Sequence, residues 1–216
     1  MAPQKIIAVL TGDLIRSRKA SPDRVAATFS LLEEAATAFG AARDMDLRFT
    51  RFRGDGWQIA LTQPGLCLDA LLYLVAVLRA GNHGLGTRIS IGIGRCETLG
   101  TTDLSDASGT AFFISGNHLD RMSPKRQFAL AGTGIGAADI GLLDLAEFII
   151  AGWTPAQAEA FAKMLLSSET QETLAAKLGI TRQAVQSRLS GAGFSYFENA
   201  LSAIRTKDFS EPADRP

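Results

Sequence analysis

Cysteine is nearly absent from this chain. Cys67 and Cys96 stand alone among 216 residues, with no C-x-x-C pair and no histidine at zinc spacing. That argues against a disulfide-stapled scaffold and a sequence-encoded zinc site, and both thiols are expected reduced and buried. Histidine is as scarce, and His83 and His118 are too far apart to form a motif. Neither charge sign dominates, since 22 Lys+Arg balance 22 Asp+Glu. The overall basic signature of many nucleic-acid binders is therefore missing, and any DNA-binding surface must be local. Long apolar runs are missing too. Residues 66–80 contain Asp69 and fall short of the ~20 residues a membrane span needs. The apolar start at residues 6–10 is followed by Asp13 and carries no small-residue cleavage site. A cytoplasmic protein with no membrane partner is the expectation.

What is present is 46% hydrophobic residues, ordinary for a chain that buries a real core. The length suits two domains. The organising stretch is residues 49–61, FTRFRGDGWQIAL. Two strand-like runs flank Gly54-Asp55-Gly56, a tight-turn signal because glycine tolerates positive φ. By itself a Gly-Asp-Gly is what a plain turn requires. A second aspartate, Asp13, follows an earlier apolar run and raises the functional reading.

In chain order, residues 5–11 (KIIAVLT) form a continuous β-branched run, predicting a strand buried on both faces and ended by Gly12-Asp13. Ser21-Pro22 opens an amphipathic helix, with Gly40 as its expected stop. Residues 47–53 and 57–61 predict a hairpin, and residues 66–80 a second helix. Residues 87–95 (TRISIGIGR) alternate strictly. Ser90, Gly92 and Gly94 leave one strand face almost bare, inviting a ligand or another backbone. The order β-α-β-β-α-β is the ferredoxin-like split pattern of an α/β fold. It places the end of the first strand and the hairpin turn at one edge of the sheet, so Asp13 and Asp55 become neighbours. Two such carboxylates repel unless a cation joins them, and hard oxygen ligands suit Mg²⁺ or Mn²⁺. Arg16, Arg18, Arg51 and Arg53 gather around the same edge, and guanidinium groups suit phosphate. Metal with arginines implies a nucleotide. Arginines that only neutralise the carboxylates, or sit in solvent, remain the alternative.

TGDLIRS, RFRGDGWQ and RISIGIG resemble the SatD family and, more distantly, the core of class III nucleotide cyclases and the palm of diguanylate cyclases and polymerases. The resemblance covers roughly residues 5–131. It implies a cyclase/palm-type domain in which Asp13 and Asp55 hold metal. Arg51 falls where cyclases often keep a base-selecting lysine. It also implies roles for Asp106 and for an Asn-x-x-x-Arg pair, met here as Asn117 and Arg121. Aligned on Asp106 and Gly109, the catalytic positions become Phe113 and Asn117 instead. Arg16, Arg51, Arg53, Asp106, Asn117 and Arg121 are thus the candidate nucleotide-binding residues.

Residues 133–138 are a glycine-rich connection without the Lys-Ser/Thr of a phosphate loop. The expected division is an α/β domain over 1–135, a linking helix over 136–153, an all-α domain over 154–209 and a disordered tail over 210–216. Thr154-Pro155-Ala156-Gln157 is a capping box. Residues 171–189 (QETLAAKLGITRQAVQSRL) have helix-turn-helix spacing, with Ala175 at the crossing, Gly179 in the turn and Thr181 as N-cap. Thr181, Arg182, Gln183, Gln186, Ser187 and Arg188 are the candidate DNA-binding residues, because Gln can read adenine and Arg can read guanine or grip phosphate. A helical hairpin used only for packing is the alternative. Between 170 and 207, five basic residues face two acidic ones, a local excess that the neutral total hides. Residues 194–205 predict a last helix that closes a small core. A DNA-binding regulator follows, its first domain sensing a nucleotide–metal ligand or dimerising; a nucleotidyl cyclase or related phosphoryl-transfer enzyme is the second reading. A homodimer is expected, through the bare face of the fourth strand and the helix near 140–151.

Overall fold

The structure, a computed structural model, describes residues 5–52, 54–81, 85–167 and 169–210. Arg53, His83 and the tail from 211 onward lie outside the described residues.

β1 (Ile6–Leu14) is the middle strand of a five-stranded sheet. It runs on through Gly12 and Asp13, which were expected to end it. α1 (Pro22–Ala42) starts at Ser21, whose hydroxyl accepts from the Arg24 amide. It passes straight through Gly40. Glycine is needed there because the returning chain presses the Met45 carbonyl onto it, not because the helix stops. β2 is only Thr50–Arg51. The longer strand expected over 47–53 is interrupted where Arg48 takes φ 47°, a turn held by the Asp46 carboxylate accepting from the Arg48 amide at 3.0 Å. β3 (Gly56–Leu61), α2 (Cys67–Ala80), β4 (Thr87–Arg95), α3 (Thr110–Arg121) and β5 (Phe128–Gly132) follow. The strand order is β2-β3-β1-β4-β5, antiparallel except for the β4–β5 pair. The first four strands have the arrangement the split βαβ pattern requires.

One sheet face carries Leu10, Trp57, Ile59, Ile89, Ile91 and Ile93 under α1 and α2. The other carries Ile7, Val9 and Ala60 under Leu104 and Ala111. Here the bare face of β4 meets its partner. A Cβ on Gly92 would run into the Ala111 carbonyl and the Ser115 amide, so α3 lies directly on the strand. That face is therefore not open to a second subunit, as had been expected.

α4 (Ala137–Ala151), α5 (Pro155–Leu166), α6 (Gln171–Leu178), α7 (Arg182–Gly191) and α8 (Phe194–Arg205) complete the chain. They do not pack only among themselves. Trp153, Phe161, Phe197, Leu201 and Ile204 join the same apolar cluster as the sheet and α2. The reason is α2, which is apolar on most of its circumference apart from Asp69 and Arg79: one side meets the sheet and α1, and the other needs α5. Polar ties cross the same seam. Arg43 donates to the Leu165 carbonyl at 2.9 Å, and Arg79 of α2 donates to the Ala151 carbonyl at 3.2 Å. A small second cluster of Ala160, Leu174, Ala175, Val185 and Leu189 holds α6 and α7 to α5. Among the described residues no helix is long and apolar enough to cross a membrane.

Candidate functional site

Asp13 and Asp55 do come to the same end of the sheet. Asp13 lies opposite Gly56 in the β1–β3 ladder, and the Leu14 amide donates to the Asp55 carbonyl at 3.1 Å. Their carboxylates, however, are engaged separately. Arg88 forks onto Asp13, with Nε to Oδ1 at 2.9 Å and the second nitrogen on Oδ2. Ser17 donates its hydroxyl to Asp55. The hydrogen bond that Arg88 donates to Asp13 holds its guanidinium above its ordinary pKa against the pull of burial, and the charges of Asp13, Asp55 and Asp120 add to it. The cation at the centre of this acidic end is thus a side chain. Arg88 escaped the sequence reading, although β1–β4 register puts it directly across from Asp13.

A polar ladder continues inward beneath α3. Gln58 donates to the Thr11 hydroxyl at 2.7 Å, Thr11 meets Ser115 at 2.8 Å, and Ser115 donates to the Phe112 carbonyl at 3.0 Å. Ser90 lies in the same row, fully buried, with no hydrogen-bond partner for its hydroxyl. Thr87 accepts from the Trp57 indole at 2.9 Å and donates to the Asp13 carbonyl at 2.8 Å, which pins the strand ends together.

Mg²⁺ or Mn²⁺ does not fit this donor set as it stands. Two carboxylates already hold Arg88 and Ser17, and among the described residues no cluster of three or more Asp, Glu, His or Cys could hold a metal ion. The other candidates are dispersed. Arg51 stacks its guanidinium over the Phe29 ring at 3.9 Å. Asp106 is bound within its own loop, accepting from the Thr101 amide and hydroxyl at 3.2 Å each. Asn117 and Arg121 ride on α3, half-buried and exposed respectively. Arg16 leaves the end of β1 in a left-handed conformation, φ 61°.

In the C-terminal helices, Gly179 takes φ 65° to close α6, and Ile180 donates back to the Ala175 carbonyl at 3.1 Å. Thr181 then caps α7, accepting from the Ala184 amide at 3.1 Å. Val185 and Leu189 point into the cluster with α5, while Thr181, Arg182, Gln183, Gln186 and Ser187 are exposed. Arg182 pairs with Glu172 at 2.8 Å and Arg188 with Glu159 at 3.4 Å.

No family model matches the chain, and no curated protein matches it. Among solved structures it is similar to two of a bacterial light-regulated adenylyl cyclase. The first has 18% identity and a TM-score of 0.38 over 59% of this chain and 43% of that one. The second has 16% identity and a TM-score of 0.38 over 69% of this chain and 81% of that one. The chain thus spans less than half the length of the first, and a likeness this low assigns neither activity nor site.

Proposed function

We propose that the chain is a DNA-binding regulator of the SatD type, with α7 as the reading helix of a helix-turn-helix unit. The α/β part serves it as a cyclase/palm-like module that dimerises or senses a nucleotide. The observation that carries this reading is the α6–α7 pair. A left-handed glycine turn and a threonine cap lead into a helix whose inner side is buried and whose outer side presents Arg182, Gln183, Gln186 and Ser187. A helix used only for packing needs no such row of base-reading side chains at its exposed N-terminal half.

The test is anisotropy with a fluorescent random-sequence duplex, followed by a sequence selected from that pool. Binding should weaken linearly in log–log terms as salt rises. Arg182→Ala and Gln186→Ala should each cost about 1–3 kcal/mol on the selected sequence, with unchanged circular dichroism. No binding even at low salt, or an unaffected double variant, would overturn the assignment.

The second reading is a metal-dependent nucleotidyl cyclase or related phosphoryl-transfer enzyme, favoured by Asp13 and Asp55 meeting at one sheet end. The Arg88 fork on Asp13 weighs against it. Incubation with ATP or GTP and Mn²⁺, followed by chromatography of products, decides between them.

A further inference from the structure

An ion pair joins the two helices of the α6–α7 unit on their solvent side. Glu172, in the first turn of α6, places Oε1 2.8 Å from Nε of Arg182, the first residue of α7. The neighbouring cations are held elsewhere. Lys177 pairs with Glu169, which precedes α6, and Arg188 reaches back to Glu159 of α5 at 3.4 Å. Arg182 makes no other ion pair among the described residues, and its two terminal nitrogens donate to no acceptor there. Gln183, Gln186 and Ser187, exposed on the same helix, have no hydrogen bond or ion pair through their side chains among the described residues. Arg182 is thus held where they are free to swing.

The pair adds little to folding. The side chains of Arg182 and Glu172 are 57% and 64% exposed, and ion pairs that wet contribute little to stability. Nor does Glu172 help general attraction, since a carboxylate beside a reading helix repels phosphate. What it supplies is orientation. A free arginine spreads over many rotamers, and any contact it makes must first order it. A carboxylate on the Nε side restricts that freedom and leaves Nη1 and Nη2 to present parallel N–H groups. In the major groove, guanine offers O6 and N7 to such a fork. We propose that Glu172 positions Arg182 to read one guanine, which makes Glu172 a specificity-determining residue that acts through its neighbour. This rests on α7 being the reading helix. The acid then trades general affinity for discrimination: every phosphate is repelled, and a single base is favoured.

The experiment is anisotropy with the full chain and three kinds of duplex: the sequence selected by wild type from a random pool, the same sequence with each G·C pair changed in turn to A·T, and a scrambled sequence. For wild type, one of the changed guanines should cost about tenfold or more in affinity. Glu172→Ala should bind that changed duplex and the selected one within about twofold of each other, yet bind the scrambled duplex at least as tightly as wild type does. A structural defect would weaken all three alike. Glu172→Gln keeps an oxygen for Nε and should restore the discrimination. Adding Arg182→Ala to Glu172→Ala should remove no further discrimination at that base, because the two act as one unit. Glu169→Ala removes the same charge from the same helix pair and should leave the preference for that guanine intact. Undiminished discrimination in Glu172→Ala, an equal loss in Glu169→Ala, or parallel weakening on every duplex would overturn the role of Glu172 while leaving α7 as the reading helix. Wild type that binds no duplex at low salt would overturn both.

Discussion

Arg205, in the last helix, forks onto both carboxylate oxygens of Asp69, a fully buried residue in the first turn of α2, with Nε at 3.1 Å from each. The two residues lie in the expected separate domains. Their pairing makes the C-terminal helices part of the same packed body as the sheet.

Arg205→Ala should therefore be costly. It leaves a buried carboxylate without its partner, a loss of about 3–5 kcal/mol for a fully buried pair, reduced here because Arg205 is itself partly exposed. Chemical denaturation should show wild type unfolding in one transition by fluorescence and circular dichroism alike. Two separated transitions in wild type, or a variant as stable as wild type, would contradict a single body joined at this pair.

Arg88 offers a second test. Its removal leaves Asp13 without its ion-pair partner and takes away the cation on which the charges of Asp55 and Asp120 also act. Arg88→Ala should destabilise the metal-free protein by about 1.5–3 kcal/mol, and adding Asp13→Asn should return part of it. Millimolar Mg²⁺ should raise the melting temperature of Arg88→Ala more than that of wild type. Equal metal responses, or strictly additive single variants, would show that Arg88 is not holding the place of a cation.

Cys67 sets a pH dependence. Burial, reinforced by the nearby Asp69 charge, pushes its thiol from 9.0 up to about 12. A raised folded-state pKa keeps its stabilising contribution whole below pH 9 and loses it as the pH climbs toward 12. Within that window the unfolded chain binds fewer protons than the folded one, so stability falls by up to about 1.4 kcal/mol per pH unit from this group. Comparing the midpoint of urea unfolding for wild type and Cys67→Ala between pH 8 and 10.5 isolates the slope, the pH range being about what a folded protein tolerates. Parallel curves for the two proteins would exclude the effect. Folded wild type should also resist thiol reagents at Cys67.

α4 carries the remaining prediction. Leu145 and Phe148 are 67% and 81% exposed, and Ile140 and Ile149 of the same helix are exposed as well, so α4 shows several large apolar side chains to the outside. A homodimer joined there would place two α7 helices for two half-sites. Leu145→Lys with Phe148→Lys should convert a dimer to a monomer in sedimentation at micromolar concentration, leave stability within about 0.5 kcal/mol, and weaken DNA binding. Wild type sedimenting as a monomer, with and without DNA, would end this idea.

Local features of the chain were legible in sequence wherever one residue's chemistry suffices. Ser21-Pro22, the Thr154–Gln157 capping box, the strict alternation of β4 and the Gly179–Thr181 turn each specify their own element through dihedral preference or a cap hydrogen bond. The topology was legible too, because strand order follows from element order, and with it the meeting of Asp13 and Asp55 at one sheet end. What those carboxylates bind was not. Arg88 reaches Asp13 across 75 positions, and only strand register makes them partners. Nor could sequence tell what would cover the bare face of β4, since a face of small residues accepts α3, a ligand or a second subunit equally well. The unity of the body was decided last. A largely apolar α2, with the buried Asp69 among its residues, demands a cover on both sides, and only folding in three dimensions chose α5 and α8 from within the same chain to supply it.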